Sequence, residues 1–264
     1  MPRTTAMVMH QSRRDHATIA LAAVAVIACA SATHALRGAT TLRLETLVVR
    51  PALWLLPVAL LAIIGRHHVV EAVRSRGWAY HAFVVGGLQV GVSVAAGFIF
   101  GFGASPWSSS PLFTITGFVW QAVAVLAGQE VMRTVLARGL ARREGLALIV
   151  PWLALWAVTV PWTGVQRLFD GDTALPYLGS VVLPAGGASL LATYLALRGG
   201  AIASLTYLLP LTVFEMVSPA LPNLPWGVTA MLGVGIPALA LCYLPDSLEK
   251  AEASEYEHAR RAST

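Results

Sequence analysis

The chain has 264 residues, of which 56% are hydrophobic and 12% are charged, with a mean hydropathy of +0.68 and a formal net charge of +5. A soluble domain has about 25% charged residues, and one compact core cannot bury this much apolar surface. The composition excludes a soluble enzyme, a nucleic-acid binder and a disordered regulator, and it predicts a multi-spanning protein whose main partner is the lipid bilayer.

Apolar runs divide the chain into eight candidate spans, since a transmembrane helix needs about 20 mostly apolar residues. In chain order the candidates are 17–36, 47–64, 79–103, 112–136, 146–162, 176–197, 201–217 and 226–244. Prolines in the second, seventh and eighth candidates indicate helices packed inside a bundle, because neighbours must satisfy the carbonyl groups that proline frees. The sequence therefore predicts an all-α, polytopic membrane helix bundle with about eight transmembrane helices.

The basic residues predict the orientation of the bundle, because cytoplasmic loops carry the excess of Lys and Arg. With the N-terminus inside, 13 of the 18 basic residues are cytoplasmic, and Arg37, Arg43 and Arg167 are outside. Both termini are thus predicted to be cytoplasmic, with polar tails at 1–16 and 245–264 around one transmembrane domain at 17–244 in the plasma membrane. A cleaved signal peptide is the alternative for the first span, but the apolar run continues well past Cys29, which favours an uncleaved helix.

The fourth span contains the polar group Gln129, Glu130 and Arg133. Spacings of three and four residues place these side chains on one helix face, where Arg133 can hold Glu130 ionised and Gln129 can add a hydrogen bond. A charge inside hydrocarbon is costly, so such residues are functional candidates. The alternative is a structural ion pair, with Arg133 extending toward the cytoplasmic interface.

Two further ionisable residues lie near the outer ends of spans. Glu215, together with Gln129, is a candidate substrate-binding residue, and the alternative is an interfacial carboxylate in contact with water. Glu215 and Glu130 are about 18 Å apart in depth, which disfavours a catalytic dyad unless a break at Pro210 makes the seventh span re-entrant. Arg50 begins a helix, where extension to the interface explains it.

Other catalytic chemistry has no support in the sequence. Cys29 and Cys242 lie in different spans, and the single lysine, Lys250, is in the tail. No metal site, cofactor or nucleotide fingerprint is predicted. Glycines at 97, 101, 103, 186, 187, 199, 200, 233 and 235 are predicted to allow close helix contacts.

The order of features after residue 112 resembles the CaaX-protease and bacteriocin-processing (CPBP) family of intramembrane peptidases. Residues 129–133 stand where that family has its EExxxR motif, and the turn at 194–204 is similar to the turn before its last motif. The resemblance implies Glu130 as the general base for water and Arg133 as its orienting residue. The positions of the family's FxxxH and HxxxN motifs have no histidine here, at 156–160 and 209–213, so the implied relative is non-catalytic or weakly catalytic.

A second resemblance covers residues 198–226, with their Pro- and Trp-rich ending. This stretch looks like the membrane domain attached to some archaeal signal peptidases, and the resemblance implies a scaffold associated with protein export.

Together these patterns favour a membrane protein that binds or processes a membrane-inserted or exported polypeptide. Two alternatives stay open, a proton-coupled or small-solute transporter that uses Glu130, and a scaffold partner of a signal peptidase.

Overall fold

The computed structural model describes residues 19–33, 44–64, 77–105 and 112–262, and almost all of them are helical. The helices, in chain order, are α1 (Ile19–Thr33), α2 (Arg50–Ile64), α3 (Trp78–Phe100), α4 (Leu112–Gly139), α5 (Glu144–Thr159), α6 (Gly171–Gly199), α7 (Ala201–Val217) and α8 (Trp226–Ala262). A π-helical turn, Glu45–Val49, leads into α2, a second one, Leu178–Val182, lies within α6, and a 3₁₀ segment, Trp162–Phe169, joins α5 to α6. The prediction of an all-α fold is confirmed.

Five of the described helices are long and apolar enough to cross a bilayer. They comprise Glu45–Ile63, Trp78–Phe100, Ile115–Gly139, Gly171–Gly199 and Trp226–Leu244, whereas α1, α5 and α7 are shorter apolar helices. Large apolar side chains face outward, among them Ile63, Phe98 and Ile99, each 80% exposed. An apolar outer surface is what a protein solvated by lipid requires, so the helices and their surface support the predicted membrane protein.

The helix bounds refine the predicted spans. Helix α7 runs unbroken from Ala201 to Val217 with Pro210 inside it, so the break at Pro210 that a re-entrant seventh span would need is absent from this helix. Helix α8 continues through the polar tail to Ala262, where the sequence is rich in helix formers. The predicted tail at 1–16 lies outside the described residues.

Besides a small hydrophobic cluster around Val160, Tyr177 and Val182, two larger clusters form the core of the described residues. One joins α1, α2, α4 and α5 through side chains that include Cys29, Trp54, Met132 and Leu155. The other joins α3, α6, α7 and α8 through Ala82, Leu191, Leu195, Tyr207 and Leu244. Helix α4 also packs along α6 and α7, and therefore connects the two halves of the bundle.

The predicted role of glycine in close helix packing is confirmed where α6 meets α8. A Cβ atom added to Gly187 would collide with the carbonyl oxygen of Gly233, and one added to Gly233 would collide with Pro184. Gly235, by contrast, faces open space, with no atom near an added Cβ. Gly101 also lacks a close neighbour; it ends α3 with a φ of +95°, a conformation that favours glycine over other residues.

Two short strands tie the end of α3 to the connection between α7 and α8. Strand β1 (Phe102–Ala104) pairs antiparallel with β2 (Ala220–Pro222), with Gly103 opposite Leu221. The Pro-rich stretch before Trp226 therefore contains a paired strand, and Trp226 begins α8 packed against Gly179 of α6.

Candidate functional site

The predicted pair of Glu130 and Arg133 forms the centre of a buried polar cluster between α4 and α6. Arg133 Nε donates to both carboxylate oxygens of Glu130, at 2.9 and 3.1 Å. Arg133 Nη1 lies 2.9 Å from Ser189 Oγ, 3.0 Å from the Ser189 carbonyl oxygen and 2.8 Å from Thr193 Oγ1. Glu130 and Arg133 are 1% and 2% exposed. We call these four residues the α4–α6 clamp.

Both oxygens of Glu130, and the Nε and Nη1 atoms of Arg133, have hydrogen-bond partners inside the clamp. One interpretation of the sequence required Arg133 to extend to the membrane interface. The side chain does not do so, because its guanidinium group donates hydrogen bonds to acceptors on the neighbouring helix α6. Ser189 Oγ also donates to the carbonyl of Trp152 on α5, at 3.3 Å, so the polar contacts reach a third helix. Thr134 donates to the Glu130 carbonyl at 2.8 Å. This geometry is that of a structural ion pair, which holds three helices in register.

Gln129 does not belong to the clamp, and the prediction that it bonds to the ion pair is wrong. Within the described part of the chain, its side chain makes no hydrogen bond. Consecutive residues of an α-helix point about 100° apart, so Gln129 and Glu130 lie on adjacent faces of α4. It lines a separate cavity of about 150 Å³ among α1, α2, α4 and α5. This space is called the polar cavity below.

Polar and apolar side chains both line the polar cavity. Its polar members are Thr33, Arg50, Gln121, Gln129 and Thr159. Its apolar members are Ala30, Trp54, Val125, Val158, Val160 and Pro161. Residues 121, 125 and 129 are spaced by four along α4, so they form one stripe of that helix.

Gln121 carries the one buried side-chain oxygen or nitrogen atom in the described part of the chain that lacks a hydrogen-bond partner, its Oε1. Buried polar atoms are almost always paired with protein or water, and an unpaired one calls for an explanation. The sequence interpretation did not single out Gln121. Gln121 precedes Gln129 by eight residues, which is about two turns of α4. This spacing is the sequence pattern that could have identified Gln121 as a second candidate residue.

Arg50 reaches the polar cavity as part of an ion pair with Glu45. Arg50 Nε and Nη2 donate to Glu45 Oε1 at 2.9 and 2.6 Å, and Glu45 is buried. The π-helical turn explains this contact, since it bonds each amide to the carbonyl five residues earlier and so stacks residue 50 on residue 45. Sequence reasoning left Arg50 as an interfacial residue and missed Glu45, because a spacing of five is not a helical neighbour in an ordinary α-helix.

Glu215, the second predicted substrate-binding residue, is not brought together with Gln129. It is exposed near the C-terminal end of α7 and does not line the polar cavity. Among the described residues, no three His, Cys, Asp or Glu side chains are grouped so that they could hold a metal ion.

Comparison with protein-family models, curated proteins and solved structures gives no match for this chain. The CPBP and signal-peptidase resemblances therefore stay predictions, and the function is inferred from the geometry.

Proposed function

We propose that this chain is a plasma-membrane protein that binds a small polar solute in the polar cavity, as a carrier or receptor of the solute-transporter class. In this proposal all eight helices cross the bilayer and both termini are cytoplasmic. The cavity then lies in the outer half of the bundle, because it is formed by the C-terminal ends of α1 and α5 and the N-terminal end of α2.

The three shorter helices are compatible with this topology. Helices α5 and α7 have 16 and 17 residues, which corresponds to about 24 and 26 Å at 1.5 Å per residue. A helix somewhat shorter than the bilayer core of about 30 Å is accommodated by local thinning of the membrane at modest cost.

The observation that carries the proposal is a pair of glutamine side chains, Gln121 and Gln129, that line a cavity between apolar helices and make no hydrogen bond within the described residues. A polar group without a partner destabilises a membrane bundle. A solute or water in the cavity can bond to the Gln129 amide and to the Gln121 amide nitrogen, although the Oε1 atom of Gln121 is itself shielded from water. The small-solute alternative from the sequence is thus supported at Gln121 and Gln129, and not at Glu130.

Peptide processing receives less support from the geometry. A general base must contact the proton that it abstracts, whereas both oxygens of Glu130 are held by Arg133 and neither residue lines the polar cavity. The catalytic roles of Glu130 and Arg133, and a polypeptide partner, stay predictions of the resemblance.

Access of water to the polar cavity can be tested with engineered thiols. In a background with Cys29→Ala and Cys242→Ala, we compare Val125→Cys, which lines the cavity, with Ala124→Cys, which is 4% exposed and lies outside it. A small neutral methanethiosulfonate reacts with a thiolate, which forms in water. We expect modification of Val125→Cys and little of Ala124→Cys, detected by mass spectrometry. Equal modification of both, or none at Val125→Cys, contradicts the proposal.

The orientation is tested by a second pair of thiols at opposite ends of the bundle. Asp172 lies in the first turn of α6 and Gly145 in the first turn of α5, and both are exposed. In intact cells an impermeant maleimide should label Asp172→Cys, and it should label Gly145→Cys after permeabilisation alone. The reverse pattern would place both termini outside.

A further inference from the structure

The chemistry of the polar cavity restricts what it can bind, if the proposed solute-binding function holds. Arg50 is the one charged residue that lines the cavity in the described part of the chain, and Glu45 neutralises it. Because a charge moved from water into a low-dielectric space is costly without an opposite charge, a charged solute would have to disrupt the Glu45–Arg50 pair. A neutral solute would leave that pair intact.

The hydrogen-bonding groups that line the cavity restrict the solute further. Thr33 and Thr159 donate to carbonyl groups of their own helices, at 2.6 and 2.8 Å, so their hydroxyl oxygens retain lone pairs that can accept. The Oε1 atom of Gln121 is buried out of reach of a solute, but its amide nitrogen makes no hydrogen bond within the described residues and can donate. The Gln129 amide likewise has no partner among the described residues, so both its donors and its acceptor are available. A matching solute must therefore donate several hydrogen bonds and accept at least one.

The size of the cavity limits the solute further. A cavity of about 150 Å³ in a protein core accommodates a molecule of about the size of benzene, that is, about six non-hydrogen atoms. The apolar wall formed by Trp54, Val125 and Val158 favours a solute with a short carbon skeleton between its polar groups.

We infer that the polar cavity is a site for a small uncharged polyol, with Gln121 and Gln129 as the residues that recognise its hydroxyl groups. A polyol satisfies all three restrictions, since each hydroxyl group both donates and accepts a hydrogen bond and carries no charge. This inference rests on the proposed solute-binding function and adds the class of solute.

The experiment measures whether glycerol protects Val125→Cys from the neutral methanethiosulfonate. Lactate is the matched control, because it has the same number of non-hydrogen atoms and carries a negative charge. The rate at Gly145→Cys, which is exposed and distant from the cavity, corrects for any effect of either compound on the reagent itself. We expect glycerol to slow the modification of Val125→Cys several-fold and lactate to leave it unchanged.

The role of the two glutamines is tested in the same assay. Protection by glycerol should be lost when Gln121→Leu or Gln129→Leu is combined with Val125→Cys. Absence of protection, equal protection by lactate, or protection that survives both glutamine substitutions overturns the polyol site, although a reactive Val125→Cys still supports a water-accessible cavity. If Val125→Cys does not react at all, the proposed solute-binding function itself fails.

Discussion

Helix α4 carries two polar sites on adjacent faces, and they differ in how their hydrogen bonds are satisfied. In the α4–α6 clamp, Glu130 and Arg133 are buried and bonded to each other and to Ser189 and Thr193. Gln121 and Gln129 line the polar cavity and make no hydrogen bond within the described residues, and the Oε1 atom of Gln121 is buried beside the cavity without a partner. The more conspicuous site, an intramembrane ion pair, has the geometry of a structural element. The less conspicuous site, the polar cavity, has space for a ligand and glutamine side chains that make no hydrogen bond within the described residues.

This comparison shows that burial of a charge does not by itself identify a functional residue in a membrane protein. A charged pair that is enclosed and bonded to neighbouring helices stabilises packing, whereas a neutral side chain with an unpaired atom beside a cavity costs stability. Four substitutions test this distinction, from the largest expected effect to the smallest.

Arg133→Met should destabilise the protein most. It leaves the Glu130 carboxylate buried without its donor, and removing one partner of a buried ion pair costs about 3–5 kcal/mol. Thermal unfolding in detergent should show a clearly lower Tm. The double variant Glu130→Leu with Arg133→Met should recover most of the loss, since no unpaired charge remains. A single variant as stable as the parent would contradict a structural role for the clamp.

Gln89→Leu should have an intermediate effect. Tyr207 Oη donates to Gln89 Oε1 at 2.9 Å between α7 and α3, and Tyr207 is completely buried. Hydrogen bonds between transmembrane helices contribute about 0.6 kcal/mol on average and up to about 1.7 kcal/mol. Tyr207→Phe should destabilise to a similar extent, and a double-mutant cycle should show that the two effects are not additive. Additive effects would mean that the bond contributes nothing.

Thr193→Val should have a smaller effect on stability. It removes one acceptor of Arg133 Nη1 and leaves both oxygen atoms of Ser189 in place. We expect a loss of about 0.6 kcal/mol, the average for such bonds. Ser180→Ala is the matched control on the same helix, since Ser180 is exposed and donates to its own helix at the carbonyl of Pro176. Equal losses in the two variants would contradict a contribution of Thr193 to the clamp.

Gln121→Leu should leave the protein as stable as the parent or stabilise it by up to about 1 kcal/mol, because it removes an unpaired buried oxygen. Gln89→Leu is the same substitution at a glutamine that has a partner, and it should destabilise. If Gln121→Leu lowers the Tm as much as Gln89→Leu does, Gln121 has a structural bond, and the comparison between the two sites on α4 fails.

The sequence was sufficient to predict the helices and the Glu130–Arg133 bond. Each predicted span contains a helix, because long apolar runs have a strong and local signal. The contact between Glu130 and Arg133 follows from a spacing of three residues on one helix. Close helix contacts at Gly187 and Gly233 were also expected from the sequence, but the contact of these two residues with each other, and that of Gly233 with Pro184, were not.

The sequence by itself determined that this is an all-α protein for an apolar environment, since composition and periodicity are properties of the chain alone. Only the tertiary structure decided which polar residues are satisfied and which line a cavity. Two acceptors of Arg133, Ser189 and Thr193, lie more than 50 residues away on α6, and most of the other residues that line the cavity beside Gln121 and Gln129 come from three other helices. Such contacts depend on how helices pack, because side chains on adjacent faces of the same helix can contact different neighbouring helices.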